Sequence, residues 1–117
     1  MAYVDGFVVP VKKDRLDDYK RLATLAEGIW REYGAIGYVE CIADDVPYGE
    51  RTSFPRAVQL EDDEIVAFSW IVYPSRQVRD EVNQKVMADP RFKAFEDNWP
   101  FDGKRMFMGG FTPLVGL

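Results

Sequence analysis

Glu40 interrupts an otherwise apolar run, YVECI (residues 38–42). A carboxyl group among such neighbours can have its pKa raised by burial into the range of a proton acceptor. The plainer reading is an edge strand with Glu40 facing water. Tyr73, closing the run FSWIVY, is the second candidate for moving a proton. A ligand-binding set is expected nearby. The loop carrying Arg51, Thr52, Ser53 and Arg56 can fold back over the sheet and bring a guanidinium toward Tyr38, Ser69 and Trp70. An aromatic-walled pocket with an arginine suits a small, flat, anionic molecule. Against this stands the reading of Arg56 as a partner for an acidic side chain and of the aromatics as core.

Other chemistry is thinner. The chain has no histidine, which removes Ser-His-Asp and Cys-His catalysis and ordinary Cys/His zinc sites from a single chain. Cys41 is the one cysteine and has no cation beside it in sequence, which favours an inert thiol. The clusters Asp44-Asp45 and Asp62-Asp63-Glu64 read as solvated loops, since consecutive carboxylates rarely point at one ion. No metal and no cofactor are implied.

These residues need elements to hold them. YVDGFVVPV (3–11) is β-branched and aromatic and reads as a first strand. Asp14 is placed as an N-cap, followed by Leu16, Tyr19, Leu22, Ala26, Ile29 and Tyr33 at helical spacing, with Gly34 as the stop. Residues 36–42 form a second strand and 65–73 a third. A long turn-rich connection separates them, with a short helical turn expected at 54–60 and Pro55 at its start. Ser75 caps a helix carrying Val78, Val82 and Val86, Asp89-Pro90 breaks it, and a short helix runs on through Phe95. The last strand is expected over 104–115, with Gly109-Gly110 marking a bulge or a close backbone approach, the bulge being the default.

The order is β-α-β-β-α-β, that of a ferredoxin-like α+β fold: a four-stranded antiparallel sheet with two helices on one face. Its uncovered face should be polar, yet Val66, Phe68, Trp70 and Val72 alternate with Ile65, Ala67, Ile71 and Tyr73. A second apolar face needs a second cover, and an identical sheet is the simplest, giving a homodimeric α+β barrel. The 117 residues fit one domain spanning the chain, of 47% hydrophobic composition and able to bury roughly two thirds of its unfolded surface. A net charge of -5 without a basic run argues against nucleic acid. No apolar run is long enough for a membrane span, and the N-terminus lacks the marks of a secretory signal, so the expected location is the cytoplasm.

The segments YVDGFVVPV, YVECIADDVP, TSFPRAV, FSWIVYPSR, KVMADPR and PFDGKRM follow one another nearly from end to end. In that order they resemble the YbaA-like family of bacterial proteins, a family of unknown function among the dimeric α+β barrels. The resemblance implies the fold and a homodimer, and carries no catalytic residues to transfer. More distant relatives of that architecture include cofactor-independent monooxygenases and haem-degrading enzymes, the latter needing a histidine ligand this chain lacks. The sequence thus describes a homodimer that binds a small aromatic or anionic organic molecule. It leaves open whether the protein is a cofactor-independent enzyme or a non-catalytic scaffold.

Overall fold

The computed structural model describes residues 1–117. Strands β1 (Tyr3–Lys12), β2 (Gly37–Ile42), β3 (Glu64–Tyr73) and β4 (Phe107–Phe111) alternate with helices α1 (Leu16–Tyr33), α2 (Phe54–Ala57) and α3 (Arg76–Met87). The sheet order is β2-β3-β1-β4 with every pair antiparallel. This is the ferredoxin-like arrangement.

Each face has a different cover. Alternation along a strand sends neighbouring side chains to opposite sides. On one side Ile71 and Tyr73 of β3 pack with Ile29 of α1 and Val82 and Val86 of α3, and Val9 and Ala67 pack with Tyr19. On the other side Val8 and Val66 are sealed by Val58 and Leu60, which follow α2. That loop covers only one end of the outer face. Phe68, Val39, Phe107 and Phe111 remain exposed on the rest, Phe111 at 64%.

Local chemistry sets the element ends. Gly34, at φ +132°, stops α1 by turning its N–H onto the carbonyls of Trp30 and Arg31. Ser75 caps α3 by accepting from Val78 N–H at 3.1 Å, and Ser53 does the same for α2 through Arg56 N–H.

Four details depart from the sequence expectation. Asp14 does not cap α1, because the chain leaving β1 stays tied to the start of β3 through Lys13 N–H and Asp63 O at 2.8 Å, and passes through a 3-10 turn first. The last strand covers only Phe107–Phe111, since β1 pairs with it from Val4 to Val8 alone and residues 102–105 form a turn. Beyond Asp89 stands a 3-10 turn, Pro90–Phe92, and then only further turns. Gly109 and Gly110 make no bulge, for they pair in unbroken register with Gly6 and Asp5. Their bareness makes room instead: the Phe111 ring lies against Gly109 and Gly6, and the Tyr3 ring against Gly110.

The acidic cluster before β3 is not merely solvated. Glu64 is 3% exposed and takes a two-pronged bond from Arg105, at 2.7 Å and 2.6 Å, while Lys12 reaches Glu61 and Asp63 outside it. Arg105 also donates to the Gln59 carbonyl at 3.0 Å, which fastens the segment before β4 to the loop after α2.

Candidate functional site

Between the sheet and its helices lies a cavity of about 440 Å³. Its floor is Phe7, Val9, Ser69 and Ile71, its walls come from α1 and α3, and its half-open outer side is bordered by Phe92, Trp99, Phe101 and Met106. Glu40 enters it from β2. Tyr19 Oη donates to Glu40 Oε2 at 2.9 Å and Tyr38 Oη to Oε1 at 3.2 Å, so each carboxylate oxygen is held by one phenol. Burial raises the Glu40 pKa above its ordinary value, and the two tyrosine bonds oppose that rise. The same burial, with the carboxylate alongside, pushes both phenols up, so they act as donors only.

Aromatic rings extend from each phenol. Tyr38 meets Trp30 at 6.0 Å and Trp30 meets Phe92 at 6.0 Å, while Tyr19 meets Phe101 at 6.3 Å and Phe101 meets Trp99 at 5.6 Å. The result is an arc of six rings whose two middle members, Tyr38 and Tyr19, hold the Glu40 carboxylate.

The wall over residues 90–99 is fastened at its two ends. Arg91 donates to Asp89 at 2.7 Å and to Glu32 at 2.5 Å, and Tyr33 donates to Asp89 at 2.6 Å. At the other end Arg15 donates to the carbonyls of Trp99 and Asn98, at 2.9 Å and 3.0 Å, and to the Asn98 side chain. Between them the backbone bonds are short-range turns such as Glu96 N–H to Lys93 O.

The residues expected to converge divide between two faces. Tyr38, Glu40 and Ser69 share the cavity side, Ser69 standing directly across from Glu40 in the register. Trp70 pairs with Val39 on the outer face and packs against Phe68, which in turn meets Phe54 of α2. Arg56 stays within its own loop, stacked at 3.9 Å over the Tyr48 ring and donating to the carbonyls of Tyr48 and Gly49. The loop does fold over the sheet, but over the outer face, so no arginine reaches Tyr38. Tyr73 is fully buried and lies outside the cavity lining, accepting from Trp30 Nε1 at 3.1 Å. Burial also pushes its phenol up.

Tyr19, Asn83, Phe92 and Phe101 line the cavity and were not expected there. Tyr19 had one sequence signal, a hydroxyl on the apolar stripe of a helix. Asp5 was missed as well: it is 1% exposed, pairs with Arg79 at 2.7 Å, and its Oδ2 has no partner. Cys41 is half-buried. No three of the acidic and cysteine side chains come together as a metal-holding group.

Topology and cavity together define a ferredoxin-like α+β protein with a half-open space between sheet and helices. The chain belongs to the family described as "Protein of unknown function (DUF1428)", which matches residues 2–103. It is 53% identical over 115 residues to a protein described as "Uncharacterized protein YbaA" from Escherichia coli K12, with 98% of each chain covered. Among solved structures it resembles Rv0793 from Mycobacterium tuberculosis, at TM-score 0.61 and 14% identity over 99% of this chain and 98% of that one. It also resembles a mutant form of SnoaB from Streptomyces nogalater, described as a cofactor-independent oxygenase. There the TM-score is 0.50 and the identity 16%, over 99% of this chain and 94% of that one. Such low identities speak for the fold alone.

Proposed function

We propose that the protein is a homodimer in which each chain binds one small, mostly apolar organic molecule in the helix-side cavity. Glu40, Tyr38 and Ser69 are the polar groups that meet it. One observation carries this reading: a half-buried carboxylate, held by phenols alone, opens into a space of about 440 Å³ walled by aromatic rings. Sites for small ligands combine a largely apolar wall, a volume of roughly 300–1,000 Å³ and a few fixed polar groups. No arginine or lysine lines the space, which removes the support for an anionic ligand. The dimer rests on the outer face, where Phe68, Phe107 and Phe111 share one side of the sheet with Trp70.

A fragment screen by NMR tests the binding. Aromatic fragments should shift the signals of Tyr19, Trp30, Tyr38 and Ser69, and Ala26→Leu, which fills the space from α1, should suppress those shifts. A screen without a bound fragment would leave a scaffold protein. Light scattering at micromolar concentration tests the dimer, which a monomeric mass would refute.

A second reading, a cofactor-independent enzyme, is favoured by the raised pKa of Glu40. A carboxylate made more basic by burial is the acceptor that proton abstraction needs. SnoaB is described as a cofactor-independent oxygenase on a similar fold. Proton exchange from a bound phenol or enol, lost in Glu40→Gln, is the measurement that would support it.

A further inference from the structure

The charges around the cavity are one-sided. Three carboxylates line it, those of Glu40, Asp89 and Glu96, and no lysine or arginine does. Asp89 is already neutralised by Arg91 at 2.7 Å. Glu96 is exposed at the rim, where water screens it. Glu40 alone stands inside with no cationic partner in the chain: its bonds come from two neutral phenols, which satisfy lone pairs and leave the charge uncompensated.

From that carboxylate, through Tyr19 and Tyr38, the rings of Trp30, Phe92, Phe101 and Trp99 extend as the arc described above. Aromatic faces are electron-rich and attract cations, Trp most strongly, and the attraction grows when water is excluded. A half-buried carboxylate without a cationic partner, in a pocket walled by rings, is therefore selective for positive charge on an apolar body. An anion would face the Glu40 charge directly, and a neutral molecule would leave that charge unanswered.

We infer that the cavity selects an organic cation, an amine or quaternary ammonium on an aromatic-sized apolar body, with Glu40 as its counter-ion and the ring arc as its cage. This rests on the reading of the cavity as a ligand site. It goes further by fixing the charge of the ligand, and it assigns Trp30, Phe92, Phe101 and Trp99 as cage residues.

The test compares three probes of one shape, benzylammonium, benzyl alcohol and benzoate, against the intact protein by calorimetry at neutral pH. Benzylammonium should bind about tenfold more tightly than benzyl alcohol, with benzoate weakest. In Glu40→Gln, which keeps the size of the side chain and an oxygen for the phenols, the preference for the cation should vanish while benzyl alcohol still binds. Equal binding of cation and alcohol, or a preference for benzoate, overturns the inference and leaves the cavity reading standing. Failure of all three to bind, in a protein that also binds no fragment, overturns both. Should Glu40→Gln fold poorly, the ranking of the three probes on the unaltered protein decides alone.

Discussion

Tyr19 of α1 and the half-buried Glu40 of β2 are joined by a bond of 2.9 Å, which fixes the helix to the sheet. The bond favours the ionised carboxyl group and opposes the effect of burial. Tyr19→Phe should therefore push the Glu40 pKa further up, and lower stability by about 1 kcal/mol through the lost hydrogen bond. Carbon-detected titration of the Glu40 carboxyl group measures the first effect and urea unfolding the second. An unmoved titration would show that the phenol does not control that charge.

Buried Asp5 and half-buried Arg79 form an ion pair, tying β1 to α3 at 2.7 Å, with the guanidinium 4.8 Å from the Tyr3 ring. Arg79→Ala strands a carboxylate that is 1% exposed, and should destabilise the protein by about 3 kcal/mol. Asp5→Asn combined with Arg79→Met should recover part of the loss, because no charge is then left without a partner. A single variant as stable as the unaltered protein would mean that water reaches Asp5.

Glu64 confers a pH dependence of definite sign. Arg105 hydrogen bonds hold its carboxyl group below the ordinary value of 4.5. Stabilisation from this pair is thus present in full above that value and is lost as the pH falls through the lower, folded-state pKa. Glu64→Gln should show a constant stability deficit near neutrality that closes on acidification, read from urea midpoints across pH. Asp5 and Glu40, both raised by burial, act in the opposite sense, but they are common to both proteins and cancel in the difference.

Gly110 is held bare by Tyr3. A methyl group there would collide with the hydroxyl and ring edge of Tyr3, which sits between β4 and Arg79. Gly110→Ala should destabilise the protein by about 1–3 kcal/mol through displacement of that ring. In a double-mutant cycle, Tyr3→Ala should remove most of the cost of Gly110→Ala, and additive effects would refute the clash.

Much of the architecture could be read from periodicity. The stripe from Tyr19 to Ile29, the apolar alternation of β3 and the Ser75 cap located their elements closely, because each is a local consequence of side-chain chemistry. The site was harder. Ser69 and Trp70 are consecutive in one strand, so alternation already sets them on opposite faces, and only Ser69 can share a space with Glu40. Which face Tyr38 joins depends on its register with β3, and hairpin register across a long loop has no short-range signature. Tyr19, Phe92 and Phe101 reach Glu40 from segments far apart in sequence, so their meeting is a property of packing. Arg56 was misdirected by its reach, since the nearest acceptors, the Tyr48 and Gly49 carbonyls, lie in its own loop.

The wall over the cavity is bonded differently from everything beneath it. Residues 90–99 add no rung to the sheet and are held by Arg15 at one end and the Asp89 cluster at the other. Arg15→Ala would remove the bonds at one end of that wall and leave every rung between β1 and β3 intact. The local free energy of loosening the wall is therefore separable from the free energy of unfolding the sheet. Substitutions that strengthen the sheet should raise the melting temperature without slowing hydrogen exchange in residues 90–99, whereas Arg15→Ala should speed that exchange with little effect on the core.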